Sequence, residues 1–295
     1  MTVSAGIFLM IIYIVFNKFI NKNSFTHRLI GVKLYAYRGE DLFRNEIRNA
    51  AALQLGCDYG CDREDFFQSR NKVFAPSILQ GRRCLRKGEE FFKIATMGMG
   101  AVAVADRQIF GFVQELMKNT QGISLFEGKA ISYINKELEK YNHAIGLISQ
   151  YYLPVTPYKR ADTISSGFNI KVYEYEEIHS KLYKHKNFSN AIMYEDKGNR
   201  RDVLAVGAVN NNTILGMAGA SSDSERFWQI GVDVIPEYRQ KGLATALVSA
   251  LTMEVFMHGA IPYYGTWPGN IASHNVARSC GYYPAWTEMF AVEIE

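Results

Sequence analysis

Between Phe227 and Ala260 the chain reads FWQIGVDVIPEYRQKGLATALVSALTMEVFMHGA, and this stretch restricts the fold more tightly than any other. FWQIGVDVI is apolar or β-branched at most positions, the pattern of a buried strand. Pro236 has no N–H to give to a ladder and ends it. Leu243, Leu247, Leu251 and Val255 then recur every fourth residue, which makes one apolar face of a helix. A strand, a short turn and a helix N-terminus together form an anion site. First-turn N–H groups have no intrahelical partner, and the helix dipole sets roughly half a positive charge there. Gly242, in the turn, has no Cβ to hold a phosphate away from the backbone.

The turn follows Val234-x-Pro236 and reads Arg239-x-x-Gly242-x-Ala244. This unit resembles motif A of the GCN5-related N-acetyltransferases (GNAT), written Gln/Arg-x-x-Gly-x-Gly/Ala after a Val-x-Pro strand end. Downstream, IPYYGTW predicts a strand, and NIASHNVARSCGYY a short helix closed by a Gly-aromatic pair. Asn270, Ser273, Gly281 and Tyr282 occupy the positions of motif B in that family. Gly281 suits a helix C′ position with φ > 0, and Tyr282 can begin the last strand. From residue 168 onward the predicted order is strand, helix, hairpin, motif-A strand, long helix, strand, motif-B helix and final strand, which is the GNAT order throughout.

The resemblance implies an α/β (α+β) fold, with a central mixed sheet flanked by helices in residues 168–295. It implies acetyl-CoA as co-substrate and transfer of its acetyl group to a primary amine of a small molecule or peptide, by direct attack in a ternary complex. Backbone N–H groups of Gln240, Lys241, Gly242, Leu243, Ala244 and Thr245 are expected to hold the pyrophosphate. The segment from Val232 to Val234 is expected to pair with the pantetheine amides as an added strand. Arg239 and Lys241 bring positive charge near the phosphates. Asn270 is placed near the pantetheine or adenosine end, with a plain helix N-cap as its alternative. No metal ligands are expected.

The proton-transfer half is thinner. Many family members carry a tyrosine four residues before the motif-B glycine, placed to protonate the leaving thiolate; here that position is Ala277. Tyr282 is the candidate substitute, with Tyr283 and Cys280 beside it. The glutamate that serves some members as base early on the motif-A strand is replaced by Trp228 and Gln229. Asp233, inside an otherwise apolar strand, must face a cleft or have its pKa raised, and is the candidate base. The missing tyrosine keeps a second reading open, a non-catalytic acyl-CoA-binding regulatory protein.

Residues 28–156 alternate strand and helix signals and read as a smaller N-terminal α/β domain, followed by a linker at 157–167. EDLFRNEIRNAAALQL predicts an amphipathic helix ending before Gly56, and Asp62 is expected to cap the turn after it. Gly98 to Ala103 fits the letters of a G-x-G-x-x-A dinucleotide fingerprint. That motif needs a helix where AVAVA predicts a strand, so a hairpin is expected instead. Asn210-Asn211-Asn212 predicts a second hairpin, between DVLAVGAV and TILGMAGAS.

Within residues 1–27, AGIFLMIIYIVF is continuously apolar but shorter than a spanning helix, and no basic run precedes it. Three readings compete: a short membrane anchor through residues 5–20, a peripheral or packed helix, and an extension without a role. If it inserts, Lys18, Lys22, Arg28 and Lys33 on its C-terminal side would keep the rest of the chain on the cytoplasmic face, and a cytoplasmic chain is expected. A net charge of +4 over 295 residues is too small to argue for nucleic acid. Cys57, Cys61, Cys84 and Cys280 are too scattered for a disulfide framework or a zinc site and read as free thiols.

Overall fold

A computed structural model describes residues 40–85, 90–156, 168–184, 186–194 and 200–294. The apolar segment at 5–20 and the linker at 157–167 lie outside these. Among the described residues no helix is long and apolar enough to cross a membrane.

Helix α1 (Glu40–Tyr59) leads to strands β1 (Lys72–Phe74), β2 (Phe92–Thr96) and β3 (Ala101–Ala105). Helices α2 (Phe110–Asn119) and α3 (Gly128–Leu138) follow, then strand β4 (His143–Pro154). Next come β5 (Asn169–Glu174) and a helical turn at Tyr175–Glu177 that widens into a π-helical segment at Ile178–Leu182. Strands β6 (Asp202–Asn210), β7 (Thr213–Ser222) and β8 (Phe227–Val234) precede helix α4 (Leu243–Met257). Strand β9 (Ile261–Thr266), helix α5 (Ile271–Ser279) and strand β10 (Tyr282–Glu293) complete the described chain.

All ten strands of the described residues belong to one sheet, in the order β1-β3-β2-β10-β4-β9-β8-β7-β6-β5. Each half of the chain ends in a 12-residue strand, β4 and β10, and each of these reaches into the other half. β4 pairs with β9 through Gln150–Tyr152, and β10 pairs with β2 through Thr287–Phe290. Sheet hydrogen bonding therefore joins the regions 28–156 and 168–295 that the sequence separates at 157–167.

One face of the sheet is covered by α2 to α5. Leu247, Val248, Leu251 and Val255 of α4 are fully buried against Leu204, Val206, Ala218 and Ile230. Ile109, Val113, Ile134 and Leu138 pack on Ile94, Ala103 and Met289. On the other face lie α1, over Val102, Val104, Tyr151 and Tyr263, and the segment from Ile178 to Ile192, over Ala205 and Met217. Strand alternation explains the division, because neighbours such as Tyr263 and Tyr264 must point to opposite faces.

Some local expectations change. Helix α1 runs through Gly56 to Tyr59, since its buried stripe of Ile47, Ala51 and Leu55 continues to Tyr59. The chain turns back at Gly60, at φ 66°, and crosses Gly56 so closely that a Cβ there would meet the Cys61 carbonyl oxygen at 2.8 Å. Asp62 occupies the N-cap of the next turn, but its side chain makes no capping bond. β2 and β3 form the expected hairpin, with Thr96 opposite Ala101. Asn211 and Asn212 turn the β6–β7 hairpin at φ 45° and 66°, the left-handed values a tight hairpin turn requires.

A buried ionic network sits where β10 meets the N-terminal half. Arg83 donates through Nε to Asp58 (2.5 Å) and through Nη2 to both oxygens of Glu288 (3.0 and 2.9 Å). Tyr59 and the Trp286 indole also donate to Glu288, at 3.1 and 3.0 Å.

Candidate functional site

β8 and β9 are parallel neighbours from the pair Phe227–Ile261 to the pair Ile230–Tyr264. Beyond that β8 continues to Val234 with its ladder to β7 alone, while β9 diverges toward α5. A cleft of about 940 Å³ opens at this fork and passes through the sheet layer. The β8 edge from Gly231 to Val234 turns its backbone groups into the cleft, which is what an extended amide-bearing ligand needs.

At one end the cleft meets the N-terminus of α4. Gly242 is the N-cap at φ 78°, and Gln240 also has a positive φ, 59°. Two left-handed residues flanking Lys241 curl successive N–H groups into a concave anion nest. The first intrahelical bond is from Ala246 N–H to the Gly242 carbonyl (3.0 Å), so the N–H groups up to Thr245 precede the helical ladder. No atom lies within 4 Å of a Cβ built on Gly242, so it is the positive φ that demands glycine.

Of the residues expected to bind the cofactor, Val232, Val234, Arg239, Gln240, Gly242, Leu243, Ala244, Thr245 and Asn270 all line the cleft. Arg239 is braced there by donating through Nε to the Val234 carbonyl at 2.9 Å. Lys241 is absent from the lining: its ammonium donates to the Glu237 carbonyl (2.9 Å) and rests over the Tyr238 ring. Asn270 is both an N-cap, accepting from the Ser273 N–H at 3.2 Å, and part of the cleft wall.

The candidate catalytic residues do not come together. Asp233 borders the cleft, but its carboxylate accepts from the Asn190 N–H (2.7 Å), the Asn190 side-chain amide (2.5 Å) and the Ala191 N–H (3.0 Å). It anchors the loop around residue 190, which lies directly on the sheet. A Cβ on Gly231 would fall 1.7 Å from the Asn190 oxygen, and one on Gly219 would fall 1.9 Å from the Ala191 oxygen. Only glycines admit so close a crossing. Tyr282 lies outside the cleft. It is packed in the core under α4 with its hydroxyl 2.7 Å from Thr252 Oγ1, and burial pushes its phenol far up.

The phenol that does reach the fork is Tyr264, which the sequence reading passed over. It lines the cleft from β9, and its hydroxyl shares a 2.8 Å hydrogen bond with Ser273 Oγ on α5. Burial raises its pKa, with the Ser273 bond acting in the opposite sense, so it carries its proton at neutral pH. The readable signal was alternation in IPYYGT: of two adjacent tyrosines on a strand beside the motif-A strand, one must face the α4–α5 side.

At the far end of the cleft, Arg200 meets a polar cluster. Its Nε donates to Asp223 (2.7 Å) and its Nη2 to Gln229 Oε1 (2.8 Å). Asp223, fully buried, also accepts from Ser221 (2.9 Å) and from the Tyr263 hydroxyl. Burial opposes the Arg200 charge, but Asp223 outweighs it and holds the guanidinium pKa above its ordinary value. Asp202, almost wholly buried, accepts from the N–H groups of Met193 (3.0 Å) and Tyr194 (3.1 Å) and from Tyr183 (2.9 Å). Burial raises its pKa, and those bonds pull it down in part.

Against known proteins, residues 171–282 match the family model of the acetyltransferase (GNAT) family. The C-terminal part of the chain is a GNAT domain. The match runs from within β5 to the first residue of β10, so it takes in the fork, the α4 nest and α5. Among solved structures, the chain is similar to a GCN5-related N-acetyltransferase from Kribbella flavida at 16% identity and TM-score 0.40, over 55% of this chain and 62% of that one. It is similar to a GCN5-related N-acetyltransferase-like protein from Streptococcus suis at 19% and 0.37, over 55% and 68%. It is also similar to a tandem GNAT protein from the clavulanic acid biosynthesis pathway at 16% and 0.39, over 50% and 54%. No curated protein matches the chain.

Proposed function

We propose that the protein is an N-acetyltransferase that moves the acetyl group of acetyl-CoA onto a primary amine of a small molecule or peptide, within a ternary complex. The observation that carries this reading is the fork: the free β8 edge from Gly231 to Val234 leads directly to the nest before α4. The nest N–H groups from Gln240 to Thr245 hold the pyrophosphate, with Arg239 beside it. Val232 and Val234 offer backbone groups to the pantetheine amides. The thioester then comes to rest near the pair Ile230–Tyr264, where the strands part.

The amine nitrogen attacks the thioester carbon, the carbon–sulfur bond breaks, and the amine gives up its proton to water. We assign the proton for the departing thiolate to Tyr264, which regains one from solvent, with Ser273 orienting the hydroxyl. This role suits a buried phenol that stays protonated at neutral pH. Membrane contact through residues 5–20 is a separate proposal, tested by whether the full chain floats with liposomes while a chain lacking residues 1–27 does not.

Calorimetric titration with acetyl-CoA and CoA tests the cofactor site, followed by thiol release with a panel of amines. Micromolar binding and turnover are expected. Absence of binding at millimolar acetyl-CoA overturns the reading. Binding without turnover of any amine favours the non-catalytic acyl-CoA-binding role.

A further inference from the structure

The end of the cleft away from α4 has an unusual charge arrangement for a site that takes up an amine. Two carboxylates border the cleft, Asp202 at this end and Asp233 on the β8 edge, and the backbone and side-chain donors described above saturate both. Neither has an oxygen facing the cleft without a donor already on it. Among the described residues lining this end, the exposed charge is Arg200. Its inner edge, Nε and Nη2, is held by Asp223 and Gln229, and Asp223 is itself fixed by Ser221 and Tyr263. Its Nη1 makes no hydrogen bond to the described residues, and about a quarter (26%) of the side chain is accessible. A guanidinium clamped along one edge presents its other edge as two parallel N–H donors in a fixed plane.

We infer that the acceptor is an amino-carboxylate, an amino acid or a related compound, whose carboxylate docks on the outer edge of Arg200 while its amine faces the thioester. Parallel N–H donors match a planar carboxylate in a two-point contact. A phosphate dianion fits less well, because it brings a second charge and further acceptor oxygens that a single guanidinium edge leaves unpaired. Polyamines and aminoglycosides fit worst, since among the described residues the wall offers their several cations no carboxylate oxygen free of a donor. The clamp also explains why a buried ion pair is kept here. Asp223 fixes the orientation of Arg200, so a ligand does not have to order the side chain when it binds.

The inference rests on the acetyl-CoA reading and deepens it. Its test uses analogues in which the CoA sulfur is joined through CH₂–CO–NH to three short ends of matched length: acid (glycine or β-alanine), neutral amide (glycinamide or β-alaninamide) and amine (ethylenediamine or diaminopropane). Each is titrated calorimetrically into the full chain. The CoA half carries binding whatever the natural acceptor is. The acid-ended analogue is expected to bind at least about tenfold more tightly than the amide, as a charge-assisted two-point contact gives. The amine-ended one should bind most weakly. In Arg200→Gln the preference for the acid should collapse, and Arg200→Lys should restore only part of it. Equal binding of all three by the wild type, or a preference for the amine, overturns the inference and leaves the cofactor site standing. Binding of none overturns both. The wild-type series decides even if the Arg200 variants do not fold.

Discussion

Ile230 on β8 stands opposite Tyr264 on β9, and this is the last parallel pair before the two strands separate. Everything the cleft offers is arranged around that point. Upstream the two strands stay hydrogen-bonded to each other. Downstream one strand edge is free, a helix N-terminus lies at its end, and a phenol looks in from the diverging strand.

Gly242 holds the nest open through its left-handed φ of 78°. Gly242→Ala should lower stability by about 1 kcal/mol, the usual cost of a Cβ in that region. Gly242→Glu should in addition place a carboxylate at the anion site and reduce CoA affinity at least about tenfold, by analogy with the loss of a charge-assisted contact. Calorimetry and chemical denaturation on the two variants separate the effects. Unchanged CoA affinity in Gly242→Glu would falsify the assignment of the nest.

Tyr264→Phe should lower turnover by about a hundredfold, the ordinary contribution of a positioned acid, with little change in CoA affinity. The direction of the pH effect follows from the raised pKa of Tyr264. An acid works only while protonated, so turnover should fall as pH rises past that pKa, above the ordinary tyrosine range. This alkaline limb should vanish in Tyr264→Phe, whereas Tyr282→Phe should keep it. Rate profiles against pH for the three proteins decide the matter.

Asp233 is tied up by the Asn190 and Ala191 donors. Asp233→Asn retains one acceptor oxygen and should keep turnover within about tenfold, whereas loss of a true general base costs about a hundredfold or more. Asp233→Ala should release the loop, seen as faster proteolysis near residue 190. A collapse of turnover in Asp233→Asn, with the loop still protected, would restore it as the base.

Arg83 bridges Asp58 and Glu288, and all three side chains are almost inaccessible to water. Arg83→Met should cost about 3–5 kcal/mol, because it leaves two buried carboxylates without their cation. Denaturant unfolding of the variant measures this. A loss below about 1 kcal/mol, the worth of an exposed pair, would mean that the network does not hold β10 to the N-terminal half.

Much of the site was legible in the chain itself. Val234, Pro236, Arg239, Gly242 and the four-residue spacing from Leu243 to Val255 specify a strand, a break and a helix, and these are local properties of backbone and periodicity. The hairpin at Asn211 and Asn212 and the left-handed Gly281 are local in the same sense. Tertiary structure alone decided the rest. That β4 lies between β9 and β10 depends on which distant strand edges meet, and alternation within a strand does not encode its neighbour. Tyr282 and Tyr264 are both tyrosines on strands, and only the packing of α4 and α5 sends one into the core and the other to the fork. Asp233 lines the cleft as its polarity suggested, yet its role turns on which N–H groups a loop over 40 residues earlier brings to it. Arg200 and Asp223 have no motif to mark them. Residue type states what a side chain can do, and its partners, chosen by the fold, state what it does.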